Sequence, residues 1–176
     1  MGHDCARIKE LVRDIPGFPR PGVTFKDITP LLADADAFGE CVDALAGHFA
    51  GRKVDTVLGV EARGFIIAAP VAYRLGAGFV PVRKKGKLPW EVHSDTYQLE
   101  YGTDTLEAHV DALRPGQRAL IIDDVLATGG TAAATRRLVE RLGGHAVGFG
   151  CVLELEFLGG RAKLGGLETL ALVSYE

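Results

Sequence analysis

Cysteine is scarce in this 176-residue chain, and Cys5, Cys41 and Cys151 form no CxxC pair, so they read as reduced structural thiols, not as a disulfide framework or a metal knuckle. Long apolar runs are missing as well. None approaches the roughly 20 residues of a membrane span, and the start, Met1-Gly-His-Asp-Cys-Ala-Arg7, carries no apolar secretory segment. A cytoplasmic location and no membrane partner are therefore expected. Nor is there a surplus of positive charge: 20 Lys and Arg against 23 Asp and Glu leave a net charge of −3, which lacks the basic footprint of a general nucleic-acid binder. No G-x-x-x-x-G-K-[ST] loop is present, which argues against a P-loop nucleotidase. Repeats and linkers are absent, and the glycines punctuate turns between periodic segments. The length suits one domain over 1–176.

What the chain does have is the stretch Ala119-Leu-Ile-Ile-Asp123-Asp124-Val125-Leu-Ala127-Thr128-Gly129-Gly130-Thr131. Its apolar start reads as a strand buried on both faces of a parallel sheet. In such sheets ligands lie beyond the carboxyl ends of the strands, which puts Asp123 and Asp124 at the binding edge. The small-residue loop then enters a helix near Thr131, where glycines, converging N–H groups and the helix dipole suit a phosphate. Acids beside an anion cradle fit a sugar phosphate, the diol donating to carboxylates and the phosphate accepting from the loop. The same residues are also compatible with an ordinary strand and helix cap. The binding reading fails if the two aspartates are buried away from solvent or if the Thr128–Thr131 amides are already taken by neighbouring carbonyls.

Around this stretch the chain alternates strands and helices, predicting an α/β fold: an open, mainly parallel sheet with helices on both faces. Residues 4–14 have the spacing of a short amphipathic helix, and the proline-rich 18–30 is expected as an ordered irregular loop. Asp34 or Asp36 can cap a helix through Phe49. Val54–Val60 reads as a strand running into Glu61-Ala62-Arg63-Gly64-Phe65 and a helix to about Leu75, whose course Pro70 should kink or delay. That turn is a second anion site by geometry, the alternative being that Arg63 caps a neighbouring carbonyl on the surface. Gly78–Arg83 is a strand that Pro81 marks as an edge or an end. The basic run Arg83-Lys84-Lys85-Gly86-Lys87 follows, then a strand from Thr96 pairing with Thr105–Val110. A basic run is usually a solvated face, but on a hairpin near an anion site it also fits a lid. Strands are expected at His145–Leu153 and Leu167–Val173.

Four separated segments together resemble the type I phosphoribosyltransferases. Asp123–Thr131 resembles their phosphoribosyl pyrophosphate (PRPP) motif, with an ending like that of the adenine-using branch. Phe18-Pro-Arg-Pro-Gly-Val-Thr-Phe-Lys-Asp-Ile-Thr-Pro30 is similar to a Phe-Pro-x-Pro-Gly-Val-x-Phe-Arg-Asp-Ile-Ser-Pro signature, Ala62-Arg63-Gly64 to the pyrophosphate turn, and 83–102 to a mobile loop with Arg-Lys-x-Gly-Lys-Leu-Pro and Tyr-x-Leu-Glu-Tyr-Gly. The resemblance implies an N-terminal hood over about 1–34, a mobile hairpin loop over about 83–102, and transfer of 5-phosphoribosyl from PRPP to N9 of adenine, giving AMP and pyrophosphate in purine salvage. It implies Ala127, Thr128, Gly129, Gly130 and Thr131 around the 5′-phosphate and AMP, and Asp123 and Asp124 on the ribose. Pyrophosphate would fall to Ala62, Arg63, Arg83, Lys84, Lys87 and Tyr101, and adenine to Thr24, Phe25, Lys26, Val125 and Leu155, with Phe25 stacking on the ring. Lys26 stands where the signature has arginine. Glu100 is implied as the proton-transfer residue, magnesium as a cofactor held through PRPP and water with no direct protein ligand, and a homodimer as the assembly. A phosphoribosyltransferase for another base and a PRPP-sensing regulator are the rival readings. The hood segment and Leu-Glu-Tyr-Gly speak against the first, and the acidic charge against the second.

Overall fold

The computed structural model describes residues 5–98 and 102–176. Its sheet has seven strands: β3 (Thr56–Val60), β4 (Gly78–Lys84), β5 (Val92–Gln98), β6 (Thr103–His109), β7 (Arg118–Leu126), β8 (His145–Leu155) and β9 (Thr169–Tyr175), in the order β5-β6-β4-β3-β7-β8-β9. The run β4-β3-β7-β8-β9 is parallel, and β6 joins it antiparallel, carrying β5 as the second arm of a hairpin. The doubly buried strands expected of a parallel sheet are present: all of β3 and most of β7 are buried. Side chains alternate along β7. Leu120 and Ile122 pack with α3 (Ala35–Phe49) and α4 (Arg63–Leu75), whereas Ala119 and Ile121 pack with α5 (Gly130–Arg141). Helices thus cover both faces, as the strand-helix alternation predicts.

Several local expectations are corrected. The first helix is only α1 (Cys5–Glu10), because residues 13–16 form β1 (Arg13–Pro16), paired antiparallel with β2 (Thr24–Asp27). The proline-rich segment is irregular only as far as residue 23: Thr24–Asp27 is a strand closed against β1 in a two-stranded ribbon, and α2 (Thr29–Ala33) follows. Asp27 locks it, accepting from Arg13 Nε and Nη2 at 3.1 and 2.7 Å and from the Thr29 N–H at 2.9 Å. Asp34, not Asp36, caps α3 by accepting from the Ala37 N–H. The fourth helix begins at Arg63 and runs through Pro70, so the proline does not delay its start. Pro81 sits on an interior strand, yet β6 reaches only Arg83 and Lys84 of β4, so Pro81 has a neighbour on one side alone and its missing N–H costs no ladder bond. Within 83–102, β4 continues to Lys84 and β5 begins at Val92, four residues before the expected Thr96, leaving 85–91 as the part without regular structure among the described residues.

Candidate functional site

At the carboxyl edge of the sheet, β3 and β7 end side by side and each passes directly into a helix, α4 or α5. A cavity of about 580 Å³ lies over both turns. It gathers Ala62, Arg63, Lys84, Lys87, Asp123, Asp124, Val125 and the whole loop Ala127–Thr131 of the residues expected there from sequence. The two acids are sunk into its floor, only 8% and 6% exposed, where the sequence had suggested an open edge. They line the cavity all the same, so what little of them is exposed opens into that space and they are not sealed away from it.

The phosphate-loop requirement is met as well. Among the described residues, no protein acceptor takes the backbone N–H of Thr128, Gly129, Gly130 or Thr131. Gly129 adopts φ +74°, and a Cβ there would lie 2.3 Å from the Gly160 carbonyl oxygen; a Cβ on Gly130 would lie 2.9 Å from the Tyr97 ring. The loop is therefore wedged between β5 and the turn at Gly160, with its amides left for a ligand. Gly64 answers a packing need. It sits in the first turn of α4 with a Cβ position 2.7 Å from Asp123 Oδ1, so what it permits is the close approach of α4 to the acid.

The electrostatics are internally compensated. Arg63 Nε donates to Asp124 Oδ2 at 2.5 Å, while its guanidinium lies 5.0 Å from the Phe25 ring centroid. Burial, then the neighbouring Asp124 charge, pushes the Asp123 carboxyl well above the usual carboxylate range. Asp123 thus holds its proton more tightly than an ordinary carboxyl, beside the Asp124–Arg63 pair. Glu61, unassigned from sequence, is the hub of the basic run: it accepts from Lys87 Nζ at 2.7 Å, the Lys84 N–H at 2.9 Å and Arg83 Nε at 3.1 Å. Burial works to raise its pKa, but these donors outweigh it and hold Glu61 below its ordinary value. Lys84 Nζ pairs with Asp104 at 3.1 Å. An acid at the end of a parallel strand, directly before Ala62-Arg63-Gly64, was the available signal for Glu61.

Not all predicted residues converge. Arg83 is turned onto Glu61 and the Lys87 carbonyl and does not line the cavity. Thr24, Lys26 and Leu155 border a separate cavity of about 920 Å³ with Asp14, Arg20 and Tyr175. Lys26 Nζ binds Asp14 at 2.6 Å and lies 4.0 Å from the Tyr175 ring centroid, so its side chain serves the ribbon. Phe25 lines neither cavity: its ring lies near the Arg63 guanidinium and meets Phe18 edge to face with ring centroids 5.3 Å apart. Glu100 and Tyr101 lie outside the described residues.

Comparison with known proteins gives a consistent result. The family model for the phosphoribosyl transferase domain matches residues 29–162. The adenine phosphoribosyltransferase of Solibacter usitatus is 56% identical over 96% of this chain and 98% of its own, and that of Acidothermus cellulolyticus is 60% identical over 87% and 86%. Among solved structures, adenine phosphoribosyltransferase from Thermoanaerobacter pseudethanolicus superposes with a TM-score of 0.94 at 53% identity, covering 97% of this chain and 99% of that one. The Saccharomyces cerevisiae enzyme, complexed with an imino-altritol bisphosphate and adenine, gives 0.92 at 39% identity, covering 96% and 98%.

Proposed function

The chain belongs to the adenine phosphoribosyltransferases of the type I phosphoribosyltransferase family, and from that premise we propose how its residues divide the reaction. The enzyme transfers the 5-phosphoribosyl group of PRPP to N9 of adenine, releasing pyrophosphate and leaving AMP. The observation that carries the assignment of parts is the set of unengaged amides at Thr128–Thr131 beside two sunken carboxylates. The 5′-phosphate takes the amides and the dipole of α5. The ribose hydroxyls donate to Asp124 and Asp123. Breaking the C1–oxygen bond leaves positive charge on the ribose and negative charge on pyrophosphate, and Asp124 faces the first while Arg63, Lys84 and Lys87 face the second. Each of these cations leaves an internal carboxylate to do so, and when Arg63 moves to pyrophosphate, Asp124 is released to the sugar.

As the bond from C1 to N9 forms, adenine gives up one proton. Glu100 is its acceptor in this proposal, with Tyr101 and Arg83 completing the pyrophosphate side. Phe25 stacks on the base, with Thr24, Lys26, Val125 and Leu155 around it. Magnesium is carried in on PRPP in this proposal, held by PRPP oxygens and water with no direct protein ligand. When bound, the ion adds charge opposite the leaving group. A homodimer is part of the proposal: Ile66 and Tyr73, seven residues apart on one side of α4, are 45% and 86% exposed, apolar side chains that a second copy would cover. So is a cytoplasmic location; among the described residues no helix is long and apolar enough to cross a membrane.

The test is pyrophosphate release from PRPP and magnesium with adenine, guanine or hypoxanthine in turn. Release with adenine alone is expected. Release with another base, or PRPP binding without release, would replace this reading by one of its rivals.

A further inference from the structure

The β5–β6 hairpin is fastened to α5 by polar side chains. On β5, Asp95 and Tyr97 share the inward face, and both are buried, at 3% and 9% exposure. Asp95 accepts from Arg137 at 2.6 and 3.0 Å and pairs with Arg141 at 3.2 Å, toward the end of α5. Tyr97 meets the beginning of the same helix: its hydroxyl is 3.1 Å from Thr131 Oγ1, and its ring lies against Gly130. Thr131 lines the main cavity at the anion loop.

We propose that Tyr97 is a positioning residue for the phosphate site, its hydroxyl orienting the Thr131 hydroxyl so that the threonine hydrogen points at the ligand. A threonine hydroxyl has one hydrogen and two lone pairs. If that hydrogen is spent on Tyr97, the phosphate meets a lone pair; if Tyr97 donates, the hydrogen is left for the phosphate. A phenol is the better donor of the two, and accepting from it strengthens the bond Thr131 gives. Burial raises the Tyr97 pKa, which keeps the phenol protonated and donating through the neutral range. Because Asp95 anchors the strand independently, the loss of this hydroxyl should leave the hairpin docked.

The inference rests on the loop being the 5′-phosphate cradle, and the ratio of AMP to adenosine affinity separates the two claims. If wild-type protein binds adenosine as tightly as AMP, the cradle reading itself fails. Given a preference for AMP, Tyr97→Phe should reduce it about fivefold, the cost of one hydrogen bond, with adenosine affinity and the adenine KM unchanged and the PRPP KM raised. Thr131→Val should reduce the preference further, and adding Tyr97→Phe to Thr131→Val should cost nothing more, since the phenol acts through the threonine. An unchanged AMP preference in Tyr97→Phe, or an equal additional loss in the Thr131→Val background, would overturn the proposal. Should Tyr97→Phe fold poorly, the comparison of Thr131→Ser, which keeps the hydroxyl, with Thr131→Val reads the same chain of bonds. Equal AMP preference in those two variants would overturn it too.

Discussion

Gly129→Ala tests the loop most directly, because two costs can be counted from its surroundings. At φ +74° an alanine is placed in the left-handed region, at about 1–2 kcal/mol. Its Cβ would also stand 2.3 Å from the Gly160 carbonyl oxygen and 3.0 Å from the Gly160 Cα, and these are backbone atoms that cannot rotate aside. Overpacking of this kind adds about 1–3 kcal/mol, for a total of about 2–5 kcal/mol. Gly159 supplies the control: it has φ +65° but open space around its Cβ position, so Gly159→Ala bears the conformational cost alone. The difference between the two variants, about 1–3 kcal/mol, corresponds to roughly 2–12 °C in melting temperature for a chain of this size. Urea unfolding of both variants measures it, and calorimetric AMP binding reports whether the loop has shifted. Gly129→Ala should lose AMP affinity and Gly159→Ala should keep it. Equal unfolding midpoints, or wild-type AMP affinity in Gly129→Ala, would refute the claim that the loop is wedged in a fixed shape against Gly160.

Asp124→Asn and Glu100→Gln should each lower turnover about 100-fold or more while shifting unfolding far less; steady-state rates and melting curves on the same preparations check this. Asp123→Asn should lower activity yet stabilise the empty protein. The folded state raises the Asp123 pKa, so between the unfolded value and the folded one it binds more protons than the unfolded chain, and stability falls as pH rises. The advantage of the variant should therefore grow as pH rises above about 4 in urea titrations, and a gap that stays constant would count against a raised Asp123 pKa. Asp27 has the opposite sign: the Thr29 N–H, then Arg13 and the Thr29 hydroxyl, hold it at about 2, so its contribution is present above roughly pH 4 and disappears as pH falls toward that value. The stability difference between wild type and Asp27→Asn should close over that window in acid titrations.

The sheet and its main turn were legible because their causes are local. An apolar run bounded by acids and glycines has few ways to fold other than as a buried strand entering a helix, and β7 with its loop does so. The hood was illegible for the opposite reason. Four-residue strands beside prolines carry no periodicity, and what makes β1 and β2 strands is their pairing and the Arg13–Asp27 bond across it. Pro70 misled because helix propensity yields to burial: Ile67, Ala68, Val71 and Ala72 anchor α4, while the carbonyl of Ile66 freed by the proline belongs to an exposed residue. The early half of β5 was hidden by polarity. Its inward positions are Asp95 and Tyr97, which alternate with the outward ones as a strand requires but are buried by partners on α5 that lie 34 or more residues away in sequence.

The same long-range pairing explains why residue roles were harder to read than residue identities. Sequence assigns Arg63, Lys84 and Lys87 to an anion and Asp123 and Asp124 to a sugar, as though each waited unoccupied. In the folded chain Arg63 holds Asp124, Lys87 holds Glu61 and Lys84 holds Asp104. The pocket is thus balanced in charge before any ligand enters, which avoids leaving like charges facing one another in a half-buried space. A ligand with anionic phosphates at one end and hydroxyls at the other can exchange with both halves of the Arg63–Asp124 pair at once. One carrying only an anion strands Asp124, and one carrying only a diol strands Arg63. On the roles proposed above, selectivity for a sugar that bears pyrophosphate would follow from the pairing itself, before any contact with the base is made.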